Sequence, residues 1–289
     1  MNKEEKMGEG NVQVTADCKT PANIASALAN SICVKKTNAS IVKLLILGFF
    51  AGAYIAFGAA LATLVGHDAA KFVGVGLAKF IIGGVFSVGL MLVVIAGAEL
   101  FTGNNLMVMS ALDGKVPFGR VAYKWAVVYM ANFIGAVFLA WLMFQTNLWE
   151  GHGGAIGAFA VKIANAKVNL TFSEAFFRGI GCNWLVCLAV WMAIASRDVI
   201  GKIGAIFFPI MAFVALGFEH CIANMYFVPL GIFLKGTASA SAAGLDLSNL
   251  TWQAFAIKNL VPVTLGNVVG GAVFVAALYW VVYVKPEKA

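Results

Sequence analysis

A chain of 289 residues that is 61% hydrophobic and only 11% charged cannot cover a soluble domain of that size with polar groups. Apolar runs of about 20 residues, enough to cross a bilayer as helices, recur along it. They are continuous rather than alternating, which argues against a β-barrel. The formal net charge of +7 suits lipid headgroups or an anionic solute, and no clustered basic helix points to nucleic acid.

The start, MNKEEKMGEGNVQVTADCKT, is polar and lacks the apolar core of a signal peptide. Next, TPANIASALANS (20–31) sets Pro21 for a first helical turn after Thr20. It predicts an amphipathic helix too short to cross, lying at the membrane surface. Six spans follow, at 41–64, 73–97, 122–145, 174–195, 203–234 and 259–284. The chain thus divides into an N-terminal segment (1–40), a six-span domain (41–284) and a C-terminal tail (285–289).

Six spans place both termini on one side. That side collects Lys3, Lys6, Lys19, Lys35, Lys36, Lys43, Lys115, Arg120, Lys124, Arg197, Lys202, Lys285 and Lys288, 13 of the 20 Lys and Arg. The bias predicts cytoplasmic termini in a cell (inner) membrane. The five cysteines (Cys18, Cys33, Cys182, Cys187, Cys221) show neither metal spacing nor a C-x-x-C pair, and read as small apolar fillers.

The two halves of the chain echo each other. GAELFTGNN (97–105) aligns with GFEHCIANM (217–225), matching Gly97 with Gly217, Glu99 with Glu219 and Asn104 with Asn224. ANFIGAVFLAW (131–141) resembles GNVVGGAVFVA (266–276), pairing Asn132 with Asn267, and GFFAGAYIAFGAAL (48–61) resembles FFRGIGCNWLVCLA (176–189) more loosely. Three spans per half invert the second repeat relative to the first. The expected fold is therefore an all-α membrane protein of two inverted three-helix repeats, with the second and fifth helices broken at the Glu- and Asn-bearing motifs. Inverted repeats with interrupted helices point to a transport path between them, because freed backbone groups are tolerated at membrane depth only against protein or a water-lined cavity.

GAELFTGNN, GFEHCIANM and NLVPVTLGNVVGG (259–271), in this order along the chain, resemble the formate/nitrite transporter family over essentially all of 20–284. The resemblance implies an aquaporin-like fold, assembled as a homopentamer with one pore per protomer. The Asn-Pro-Ala pairs of water channels are absent. It assigns His220 to the central pore, Lys167 to the outer mouth and Thr102 to the broken second helix. It also assigns Phe86, Leu90 and Phe213 to the narrow apolar section, and Asn183, Asn224 and Asn267 to polar positions beside the histidine. Glu99 stands where some members carry Asp.

A small anion crosses an apolar constriction only at great cost, whereas a weak acid can cross as its neutral form. Lys167 would draw the anion in, the apolar residues would exclude water, and His220 would donate a hydrogen bond or a proton. Glu99 and Glu219 are expected to cap backbone N–H groups at the helix breaks. The solute read from these features is formate with a proton, with nitrite or hydrosulfide as alternatives. A different class, a membrane-embedded oxidoreductase subunit using His220, Glu219 and Cys221, lacks a second histidine nearby, a metal-spaced cluster and any cofactor fingerprint. A membrane anchor would leave the repeated motifs without a purpose.

Overall fold

A computed structural model describes residues 18–286. The polar start through residue 17, the end of the tail from 287, and with them Lys3, Lys6 and Lys288, lie outside the described residues. Six helices are long and apolar enough to span a membrane.

The first helix, α1 (21–38), begins as the sequence predicts, with the Thr20 hydroxyl accepting the Asn23 N–H at 3.3 Å. It runs a further two turns through a π-helical stretch, Leu28–Ile32. One face, Ile24, Ala25, Leu28, Ala29 and Cys33, is buried against the spans. The helix therefore packs into the end of the bundle, where a surface-lying helix was expected, because this apolar stripe finds protein rather than headgroups.

The spans follow as α2 (Ile41–Gly66), α3 (Ala69–Gly97), α5 (Phe118–Gln145), α7 (Phe172–Ala195), α8 (Val199–Leu216) and α10 (Trp252–Tyr283). Between them lie the half-helices α4 (103–112), after the first break, and α9 (Cys221–Leu234), after the second. The predicted fifth span, 203–234, is thus α8 and α9 in series. Two further helices were not expected: a single turn at Ala238–Ala242 and the longer α6 (Ala155–Val168), which carries three lysine or asparagine side chains in its last seven residues. Its position after the third span mirrors that of α1 before the first.

Both breaks are made in the same way. Gly97 (φ 93°) and Gly217 (φ 77°) take left-handed backbone that ends one half-helix and turns the chain toward the bundle axis. A few non-helical residues follow before the next half-helix begins.

Within each repeat the outer pair of spans closes through glycine. A methyl group on Gly52 of α2 would collide with the Asn132 carbonyl of α5, and one on Gly270 of α10 with the Ile180 carbonyl of α7. Such backbone-to-backbone approach replaces the hydrophobic effect, which gives lipid-embedded helices little reason to associate. The described ends of the chain come together, α1 packing against the end of α10. The fold is the expected one: two inverted three-helix repeats, each with its middle helix broken.

Candidate functional site

The freed backbone at each break is held by one asparagine from the third span of its repeat. Asn132 Oδ1 accepts the Phe101 N–H (2.9 Å), and its Nδ2 donates to the carbonyls of Gly48 (2.7 Å) and Glu99 (2.9 Å). Asn267 does the same upside down: Oδ1 accepts the Cys221 N–H (2.9 Å), and Nδ2 donates to Gly179 (2.8 Å) and Glu219 (2.9 Å). Every hydrogen-bonding atom of two fully buried amides is thus spent on backbone: an N–H and a carbonyl freed by the break, and one carbonyl of the neighbouring unbroken span. The matched carbonyls of Gly48 and Gly179 also correct the loose alignment of the first and fourth spans, which paired 48 with 176.

The two glutamates do not cap the helix ends. Glu99 Oε2 accepts from Lys36 Nζ of α1 at 2.7 Å and from Asn104 Nδ2 at 3.0 Å. Glu219 Oε1 accepts from Lys167 Nζ of α6 at 2.8 Å, and its Oε2 from Asn224 Nδ2 at 2.7 Å. A carboxylate this buried needs a full opposite charge; partial charges on N–H groups do not offset its desolvation. The second break is capped instead by His220, whose Nδ1 accepts the Ala223 N–H at 3.1 Å. Lys167, expected to draw anions in, is therefore bound to Glu219, which cancels much of its field at a distance. It also stands 5.3 Å from the Phe227 ring centroid.

His220 joins the two breaks. With Nδ1 committed as an acceptor, the neutral ring carries its hydrogen on Nε2, which lies 3.0 Å from Thr102 Oγ1. Phe213 stacks on the imidazole at 5.9 Å, and Phe86 meets Phe213 edge-on at 5.7 Å. His220, Phe86 and Phe213 are each 3% exposed.

Two cavities approach this cluster from opposite ends. The one on the face away from α1, termed outer for its place relative to the described chain ends, is about 280 Å³ and is lined by Phe86, Phe213, Lys167, Glu219, His220 and Asn224. The inner one, about 510 Å³, is lined by Leu90, Val93, Lys36, Glu99 and Asn104 together with Leu28 and Ile32 of α1. Leu90, one helical turn beyond Phe86, lines the inner cavity as Phe86 lines the outer one, and His220, stacked on Phe213, brings the Thr102 hydroxyl beside this apolar stretch.

Of the residues singled out from sequence, the structure brings His220, Thr102, Phe86, Phe213 and Leu90 to this closed section, and Lys167, Glu219 and Asn224 to its outer side. Asn183 and Asn267 line neither cavity. The Asn183 amide is shared among the Asn267 carbonyl (2.7 Å), Asn105 Oδ1 (2.9 Å) and the Thr102 carbonyl (3.3 Å), bracing the wall behind Thr102. Sequence reasoning missed Lys36, the inner counterpart of Lys167, although the Glu99–Glu219 match asked for a second cation. It also missed Asn259, whose Nδ2 donates to the Lys167 carbonyl at 2.9 Å and whose Oδ1 accepts from Asn224 at 2.8 Å. Lys79 of α3, which lines the outer cavity, gave no signal beyond its charge. Cys33, Cys182, Cys187 and Cys221 are buried, and Cys18 is exposed.

Comparison with known proteins matches residues 23–281 to the formate/nitrite transporter family model. A probable formate transporter of Methanothermobacter thermautotrophicus is 48% identical over 92% of this chain and 98% of its own length. The formate channel FocA of Escherichia coli (strain K12) is 36% identical over 93% of this chain and 96% of its own. Among solved structures, a pentameric formate channel with formate bound superposes with a TM-score of 0.76 at 38% identity, over 85% of this chain and 98% of that one. The broken helices, their mirrored asparagines and this match over nearly the whole chain together show that the protein is a multi-pass membrane protein belonging to the formate/nitrite transporter family.

Proposed function

We propose that the protein is a channel for small monovalent anions of weak acids, with formate as its principal solute. The observation that carries this is the pair of lysine-bearing cavities separated by a short apolar section whose polar groups are His220 and Thr102. An anion reaching the Phe86–Phe213 pair must shed water into low dielectric, which costs far more than the contacts there return. A weak acid escapes that cost by crossing as the uncharged molecule, and His220, with the Thr102 hydroxyl it engages, is the donor pair that meets it at the narrowest point.

Several observations support the surrounding reading. The bound solute and pentameric assembly of the solved relative support formate and a homopentamer with one path per protomer. The excess of Lys and Arg on the side of the termini supports cytoplasmic N- and C-terminal segments in a cell membrane.

The test is stopped-flow uptake into proteoliposomes of formate, nitrite, hydrosulfide, acetate and lactate at an acidic and a neutral pH. Formate is expected to be fastest and to depend on pH. A purified, intact oligomer that passes none of the five refutes the reading. Nitrite or hydrosulfide outpacing formate reassigns the solute within the same mechanism.

A further inference from the structure

The two lysine–glutamate–asparagine sites are mirror copies that differ in the partners of the asparagine, the outer one also engaging Asn259. On the inner side Lys36 Nζ bridges Glu99 Oε2 and Asn104 Oδ1, at 2.7 and 3.0 Å, so the asparagine oxygen has its donor. On the outer side Lys167 reaches only Glu219 Oε1. Among the described residues no donor reaches Asn224 Oδ1, although the side chain is fully buried and lines the outer cavity.

The amide cannot be turned round to remove the difference. Asn259 Nδ2 faces the Lys167 carbonyl, which can only accept, so Asn259 Oδ1 is the atom facing Asn224. Asn224 must present its N–H groups both to that oxygen and to the Glu219 carboxylate. Its Oδ1 is left over. A buried acceptor without a donor bears the full desolvation penalty of its group, and such a group asks for an explanation. Tyr226 Oη also lacks a partner but lines neither cavity, so a passing solute does not meet it.

We propose that Asn224 Oδ1 is the acceptor for the O–H group of the protonated, uncharged acid, making the outer half-site a docking point for the acid form and not the anion. This rests on the channel reading above. A carboxylate or nitrite anion offers only lone pairs, which Oδ1 repels; the neutral acid offers one strong donor. The proton stays on the acid throughout, so the step needs no exchange with the protein. The charged or titratable groups lining the same cavity are Lys167, Glu219, His220 and Lys79; Lys167 and Glu219 are paired beside Asn224, while Lys79 is exposed and, among the described residues, adds one unpaired positive charge.

The test compares Asn224→Leu with its mirror, Asn104→Leu, for formate uptake across an external pH series from acidic to neutral. Both lose an amide that braces a glutamate, but only the first loses a free acceptor. Asn104→Leu should scale uptake by one factor at every pH. Asn224→Leu should lose about tenfold at the acidic end, the worth of one good hydrogen bond, and show a flattened pH profile. Identical scaling by the two variants, the result expected if Oδ1 merely holds a trapped water, overturns the proposal. Wild-type oligomers that pass no formate overturn instead the channel reading.

A second measurement needs no variant. Formamide, a neutral N–H donor, should inhibit wild-type formate uptake, and methyl formate, of similar size but with no such donor, should be several-fold weaker. Equal potency, or no inhibition by formamide, counts against the assignment.

Discussion

Thr102 and His220 stand 3.0 Å apart although 118 residues separate them, and this contact joins the two helix breaks directly. Each belongs to a helix break, and neither break alone could place a donor between the two cavities. Replacing His220 by Phe keeps a ring of similar size against Phe213 but removes the donor and the cap on Ala223. Formate uptake by His220→Phe should fall to the protein-free background, with the oligomer intact by size-exclusion chromatography. The lost cap should lower stability by about 1 kcal/mol. Undiminished, pH-insensitive flux in this variant would rule out the role assigned to the histidine.

The lysine–glutamate pairs should behave as buried ion pairs. Lys167→Met leaves Glu219 charged, buried and unpartnered, a loss of about 3–5 kcal/mol. Adding Glu219→Gln to it should recover most of that stability. The inner pair should be less sensitive, since Lys36 is 30% exposed at its side chain against 14% for Lys167. Thermal unfolding in detergent of the two single variants and the two double variants supplies the ordering.

Asn132 and Asn267 make matching bonds, so Asn132→Leu and Asn267→Leu should cost alike. Each leaves one N–H and one carbonyl of a helix break unsatisfied, at about 1–3 kcal/mol per group, and removes the tie to the carbonyl of Gly48 or Gly179 in the neighbouring span. Both should lower the yield of folded oligomer sharply, measured as monodisperse protein per cell mass. A mild effect at one and a severe one at the other would show that the two breaks are not held equivalently.

Phe213 packs between Phe86 and His220. Phe213→Ala should open the closed section, raising uptake of acetate and lactate relative to formate by about tenfold, as a pocket gaining several carbon volumes does. Unchanged ratios among the three acids would mean that the selective constriction lies elsewhere.

Much of this arrangement can be read in the sequence, and the limits of that reading have physical causes. The apolar runs announce the spans, and the paired Gly, Glu and Asn of GAELFTGNN and GFEHCIANM announce the breaks, because such residues are too costly at membrane depth to be incidental. The partner of a buried charge is another matter. Lys36 lies 63 residues before Glu99, and Lys167 lies 52 residues before Glu219. Only the packing of α1 and α6 against the breaks brings them together. The division of labour among the asparagines was hidden for a similar reason. Asn267 bonds backbone and Asn224 bonds a carboxylate, and what distinguishes them is the direction of a side chain, which no spacing records.

The mirrored breaks carry one more consequence. A solute arriving from either face encounters a lysine, then a carboxylate and an asparagine, then the same closed apolar section. Apart from Asn259, Lys79 and the free Asn224 oxygen on the outer side, the route repeats the same chemistry in reverse. In the channel proposed above, net flow in either direction would then follow the concentration and proton gradients.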